Sequence, residues 1–177
     1  MKTKGFTLIE MAIGLVVLSI LGISAVGMMN SYILNARISS TADELRDGIF
    51  LAKAEAIKRN TAVDFRVTNT GWQIWMPWVD DTKPYLTREA AQKSITVAGA
   101  DSNGSAVTTI EFIGSGRPNS AITSAPVTID ITPNAPLACR TADSGEVTCL
   151  RVLVTTGGRV RVCNPQSENE LFRCPTA

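Results

Sequence analysis

The sequence has no histidine, which removes the commonest general base and metal ligand from consideration. Its four cysteines include no Cys-x-x-Cys pair, so the spacings of zinc and dithiol sites are missing as well. Two disulfides and an oxidising compartment are the expectation instead. The net charge of +1 gives no bulk attraction for a nucleic acid, and any basic site must be local. The loop Gly114-Ser115-Gly116-Arg117-Pro118 is glycine-rich, but neither a lysine-serine pair nor a strand-to-helix step follows it, which excludes a phosphate-binding loop. With no nucleophile-base constellation, no metal spacing and no phosphate cradle, the residues predict neither an enzyme nor a cofactor. Charge is also missing between Glu10 and Arg37, and that absence is the most informative of all.

The uncharged run follows two lysines, Lys2 and Lys4, and a small-residue step at Gly5-Phe6. From Phe6 to Met29 it meets the length of about 20 apolar residues that a membrane-crossing helix needs. Lysines ahead of such a span hold the amino terminus in the cytoplasm and send the remainder out. A conventional secretory signal has a short apolar region that is removed with it. A cut at Gly5-Phe6 would instead leave the anchor attached. Glu10 is the anomaly, because a carboxyl inside such a helix costs on the order of 2.5–3.5 kcal/mol on insertion scales and requires a partner. The next charge along the chain is Arg37, so the helix supplies none. Glu10 therefore sits at the interface of an ordinary signal anchor or is paired by another molecule.

Lys4-Gly5-Phe6-Thr7-Leu8-Ile9-Glu10 resembles the amino-terminal signature of type IV pilins and of the pseudopilins of type II secretion. The resemblance implies that a prepilin peptidase cuts after Gly5 and methylates the new amine of Phe6. It also implies a partner for Glu10, the terminal ammonium of a neighbouring subunit during polymerisation. Two opposite charges withdrawn from water attract strongly, and only a packed neighbour satisfies both. The partners would then be other pilins or pseudopilins, engaged through the helix. The subunit would wait as a single-pass protein of the bacterial inner membrane, its carboxy-terminal domain periplasmic. From there it would enter a pilus, reaching the cell surface, or a pseudopilus.

Beyond Asn30 the helical pattern becomes one-sided. Ile38, Ala42, Leu45, Ile49, Ala52 and Ala56 recur at spacings of three and four, while Asp43, Arg46, Asp47, Lys53 and Lys58 fall elsewhere on the wheel. The pattern switches near Asn60. Ala42-Asp43-Glu44-Leu45-Arg46 and Leu51-Ala52-Lys53-Ala54-Glu55-Ala56-Ile57-Lys58-Arg59-Asn60, followed by a strand, resemble the FimT/GspH group of minor pilins and minor pseudopilins. That group implies an α+β type IV pilin fold, a long amino-terminal helix packed on antiparallel sheets. The expected organisation is a leader at 1–5, a transmembrane and assembly helix at 6–29, its amphipathic half at 30–60 and a β-rich domain at 61–177.

Strands are expected at Val63–Val67, Trp72–Met76, Ser94–Val97, Thr108–Ile113 and Val127–Ile131, each bounded by turn-forming residues. Val79–Lys93 is polar and without period, and reads as a surface excursion. Trp72, Trp75 and Trp78 read as buried aromatics of the core rather than as a base-stacking platform. Arg117 reads as a turn residue first, with contact to a ligand as the lesser alternative. Ser144-Gly145 lies midway between Cys139 and Cys149, so a hairpin would pair those two and leave Cys163 to Cys174, although four cysteines allow three connectivities.

Between the cysteine pairs, Arg151 to Cys163 forms two arms about Gly157-Gly158. A three-residue loop with one left-handed glycine pairs Thr155 with Arg159 and Leu153 with Arg161. Val152, Val154, Val160 and Val162 then share one face, and Arg151, Arg159 and Arg161 the other. A two-residue loop would put the arginines on the valines' face and is rejected. Gly158-Arg159-Val160-Arg161 resembles the Gly-Arg-x-Arg element of FimT proteins that bind DNA in natural transformation. The resemblance implies contact between these arginines and the phosphates of double-stranded DNA, without sequence readout. From the residues alone, an edge strand kept soluble by charge is the competing account, and Asp143, Glu146, Glu168 and Glu170 nearly balance the arginines. The expected function is a minor type IV pilin that captures extracellular DNA for uptake. The alternatives are a pilin that primes assembly without DNA, and a GspH-like minor pseudopilin.

Overall fold

A computed structural model describes residues 7–69, 71–89, 94–120, 126–134, 136–141 and 145–175, with the side chains of 21–28 outside the described set. The chain divides into two compact units, Met1–Ile33 and Leu34–Ala177. One helix, α1 (Leu8–Arg59), contributes to both.

In the first unit the exposed surface of the helix is mostly apolar, with Leu8, Ile9, Met11, Ile13, Leu15 and Leu18 exposed. Such a surface belongs against lipid or other protein. Among the described residues no helix is long and apolar enough to cross a membrane. The expected span, Phe6 to Met29, takes in Phe6 and the side chains of 21–28, which lie outside that set.

The second unit is built on the amphipathic stripe. Ile38, Ala42, Leu45, Ile49, Ala52 and Ala56 are all buried, in one core with residues of every strand but the exposed one at Leu86–Glu89. The helix stops at Asn60, whose φ of 51° places it in the left-handed region. Thr61 N–H donates to the Ala56 carbonyl at 3.2 Å and Asn60 N–H to the Ile57 carbonyl at 3.2 Å, the pair of bonds that closes a helix end with a left-handed residue.

The first sheet has the order β3-β2-β1-β5, from β1 (Val63–Thr68), β2 (Gly71–Trp75), β3 (Leu86–Glu89) and β5 (Thr109–Phe112). The second has the order β4-β6-β7-β8, from β4 (Ile95–Ala100), β6 (Val127–Pro133), β7 (Leu150–Val154) and β8 (Val160–Cys163). All pairs are antiparallel. β4, β5 and β6 alternate buried and more exposed positions over most of their length, which fixes register because a one-residue slip would turn the apolar set outward.

Two expectations about strands and aromatics are corrected. The excursion at Val79–Lys93 contains β3, which pairs along β2 although all four of its residues are exposed, so no apolar alternation marks it. Burial of the tryptophans holds for Trp72 alone, stacked on Phe65 at 5.6 Å between ring centres. Trp75 lies half-buried beneath the Arg66 guanidinium at 4.1 Å. Trp78 is exposed and has the Arg59 guanidinium over its ring at 5.1 Å. Arginine capping lets these two rings stay at the surface.

Candidate functional site

The β7–β8 hairpin takes the three-residue loop. Leu153 pairs with Arg161 and Val154 with Val160, and Thr155 N–H donates to the Arg159 carbonyl at 3.0 Å. Gly158, with φ of 75°, supplies the left-handed residue that closes the loop, and its N–H donates to the Thr155 carbonyl at 2.8 Å. The Thr155 hydroxyl accepts a further bond from Arg159 N–H at 3.2 Å. Val152 and Val154 are buried, Val160 and Val162 half-buried, and Arg159 and Arg161 exposed on the opposite face.

The three arginines differ in what they touch. Arg151 is bound bidentately to Asp130, Nε to Oδ1 at 2.5 Å and Nη2 to Oδ2 at 2.9 Å. The two residues are register partners across β6 and β7. The hydrogen bond to that carboxylate raises the Arg151 pKa above its already high ordinary value. Arg151 is thus paired with a carboxylate within the sheet. Sequence patterning missed Asp130, because only the β6–β7 register brings it there. Arg161 donates from Nη2 to the Leu171 carbonyl at 3.0 Å. Among the described residues Arg159 makes no ion pair, and none of Glu146, Glu168 and Glu170 pairs with Arg159 or Arg161. Asp143 lies outside the described residues.

Two disulfides bound this region. Cys139 joins Cys149 with a Cα separation of 5.4 Å, and Cys163, the last residue of β8, joins Cys174 at 5.0 Å. The first pair is not brought together by an antiparallel hairpin. Cys139 and Val147 form an isolated parallel bridge, and Gly145 turns the chain with φ of 94°; Ser144, the expected turn centre, lies outside the described residues. The second disulfide closes the loop that carries the Leu171 carbonyl to Arg161. Closing a loop of about ten residues contributes roughly 3 kcal/mol on the chain-entropy account.

The hairpin turn is seated on two other elements. A methyl group at Gly158 would lie 2.4 Å from the Gly116 carbonyl oxygen and 3.4 Å from Arg117 Cα. One at Gly116, itself at φ of 73°, would lie 2.6 Å from Ile57 Cδ1 and 3.0 Å from Lys53 Cε. Lys53 Nζ donates to the Gly158 carbonyl at 3.0 Å. The end of α1, the turn after β5 and the turn between β7 and β8 therefore stack, and the glycines are where backbone meets backbone. The same helix end carries Glu55 and Arg59, joined at 2.7 Å; that guanidinium holds the Glu55 carboxyl below the ordinary carboxylate range.

At the other end of α1, Glu10 has a partner that charge counting missed. Its Oε2 accepts from Thr7 N–H at 3.4 Å, and Glu10 N–H donates to the Thr7 hydroxyl at 3.3 Å, a reciprocal capping box at the helix start. The Thr-x-x-Glu spacing was the local signal for it. The expected processing residues, Gly5 and Phe6, lie outside the described residues.

Residues 41–171 match the family model described as type II transport protein GspH, and residues 1–26 match the prokaryotic N-terminal methylation motif. No curated protein sequence matches the chain significantly. The fold is similar to that of the type IV minor pilin FimU of Pseudomonas aeruginosa, with 14% identity, a TM-score of 0.55, and 78% of this chain and 97% of that one covered. It is similar also to the minor pseudopilin EpsH of the Vibrio cholerae type 2 secretion system, with 12% identity, a TM-score of 0.50, and 75% and 99% covered. At these identities the likeness is one of fold.

Proposed function

Because the chain belongs to the GspH family of type II transport proteins and carries an amino-terminal methylation motif, we propose that it is a minor pilin that binds double-stranded DNA through Arg159 and Arg161. Membership makes it a structural protein, a minor pilin or pseudopilin rather than an enzyme. The supporting observation is the pair of exposed arginines two apart, Arg159 immediately before β8 and Arg161 on it, held by a disulfide-bounded hairpin, with no carboxylate paired to either among the described residues. Residues i and i+2 of a strand project from one face about 7 Å apart, so both guanidinium groups reach one phosphate backbone without reading bases. Gly158 shapes the turn that presents them, and Arg151, committed to Asp130, contributes to rigidity rather than contact.

The amino-terminal residues take the roles their motif implies. A prepilin peptidase cuts after Gly5, Phe6 becomes the methylated terminus, and Glu10 exchanges its capping bond to Thr7 for the terminal ammonium of a neighbouring subunit. The inner membrane holds the protein until it joins a filament, with residues 61–177 on the periplasmic side.

A pilin or pseudopilin that assembles without binding DNA is the second reading. The bond from Arg161 to the Leu171 carbonyl favours it, since part of that arginine's donor capacity is used within the chain. The test is fluorescence anisotropy of the full chain in detergent micelles with a short labelled duplex at 50 to 200 mM salt. The DNA reading expects binding without sequence preference that weakens as salt rises. Replacing Arg159 and Arg161 together by Gln is expected to reduce the salt slope by about 1.8 and remove most of the affinity. A parent that does not bind at 50 mM salt, or a double variant that binds like the parent, overturns it.

A further inference from the structure

We propose that Arg117, on the turn after β5, is a further phosphate contact on the surface of Arg159 and Arg161. The site is then built from both sheets and seated on the helix. This rests on the DNA-binding reading above.

In the sequence Arg117 is 42 residues from Arg159, and it follows a strand of the other sheet. The fold removes that separation. The space a Cβ would need at Gly158 is filled by the Gly116 carbonyl, with Arg117 Cα just beyond at 3.4 Å, so Arg117 and Arg159 follow directly on two glycines in backbone contact. Neither turn is free to drift. The Arg117 turn is closed by Ile113 N–H donating to the Arg117 carbonyl at 3.0 Å and Gly116 N–H to the Ile113 carbonyl at 2.8 Å, and a bridge pairs Phe112 with Pro118. Lys53 fastens the hairpin turn to α1 through the Gly158 carbonyl and sets its own ammonium at the seam. Arg117 is exposed, and among the described residues it makes no ion pair, nor do Lys53 and Arg159.

Three cations from three elements thus meet at one seam with no paired carboxylate among the described residues; Arg37, Arg88, Arg140, Arg161 and Arg173 make no ion pair there either, so what marks the seam is the backbone contact that brings three together. Like charges gathered at one seam repel one another, and a polyanion relieves that repulsion. Lys53 acts here as a positioning residue, its ammonium already donating to backbone. Among the described residues the Arg117 guanidinium makes no ion pair.

The experiment is the same titration of the full chain in detergent micelles, run on Arg117→Gln, Arg117→Lys and Arg88→Gln. Arg88 lies on β3, at the opposite edge of the sheet from β5, and gives the same change in net charge away from the seam. Three contacts give a log-log salt slope of about −2.7, or about a 40-fold loss of affinity between 50 and 200 mM salt. Arg117→Gln is expected to reduce the slope by about 0.9, so that the same salt step costs about 3.5-fold less. Arg117→Lys and Arg88→Gln are expected to keep the parent slope. If Arg117→Gln matches the parent, or changes it no more than Arg88→Gln does, the inference is overturned. The DNA reading then still stands on the loss seen in the Arg159, Arg161 double variant. A parent that does not bind overturns both.

Discussion

Gly158→Ala tests whether the hairpin turn is held against the rest of the domain or merely closed by its own hydrogen bonds. Two costs fall on the added methyl group. At φ of 75° an alanine is in the left-handed region, which costs roughly 1–2 kcal/mol. Its Cβ would also stand 2.4 Å from the Gly116 carbonyl oxygen, where 3.4 Å is ordinary contact, so the turns must part by about 1 Å. Parting them stretches the bond from Lys53 Nζ to the Gly158 carbonyl, worth about 1 kcal/mol. The sum is about 2–3 kcal/mol, and for a chain of this size that lowers Tm by about 4–12 °C. The control is the adjacent Gly157→Ala: its Cβ would meet only Thr155 Oγ1 at 4.0 Å, and its φ is not positive. That variant should melt with the parent or slightly above it, because alanine narrows the unfolded ensemble. Both melts are read by far-UV circular dichroism under one set of conditions. Equal Tm values for the two variants would refute the reasoning, since they would mean that the seam between the two turns contributes nothing.

Glu10→Val keeps the helix apolar and removes the carboxylate, so it should be processed at Gly5 and retained in the membrane but be depleted from sheared filaments on immunoblots; parental incorporation would count against a pairing role. Replacing Cys163 and Cys174 together by Ser should cost about 3 kcal/mol from the loop they close, seen as a Tm about 6–12 °C lower under oxidising conditions and no difference from the parent in reductant. An oxidised variant that melts with the parent would place the loop's stability in its backbone bonds to Asn164 instead.

The arginine register was legible because everything that sets it is contiguous. The valine alternation on both arms and the double glycine between them lie within thirteen residues, and a wrong loop length inverts every side chain at once. The helix stripe was legible for the same reason, its period being written along one element. Contacts between elements were not. Asp130 neutralises Arg151 only because β6 pairs with β7 in one register, and no pattern within either strand selects that register over its neighbours. β3 escaped because an exposed edge strand has no apolar period to distinguish it from a loop. Cys139 and Cys149 were joined on the premise of a hairpin, yet their segments meet through a parallel bridge, so the pairing and the reason given for it were separate matters.

The same distinction bears on what Gly-Arg-x-Arg means here. The turn alone accounts for a glycine at position 158 through its positive φ, and the Gly116 carbonyl accounts for it a second time through lack of space. A glycine required twice for packing says nothing about DNA. What bears on function is which cations the fold leaves unmatched. Of the arginines on the outward face, Arg151 has a carboxylate and Arg161 a carbonyl, while among the described residues Arg159 makes no ion pair, nor does Arg117, which the packing that demands Gly158 brings up. A solubilising edge would need only that these charges face water. It would not need two of them fixed beside each other on turns locked backbone to backbone, because immobilising like charges raises their repulsion without adding solubility. On the DNA reading proposed above, an anion lying across both turns would relieve that repulsion.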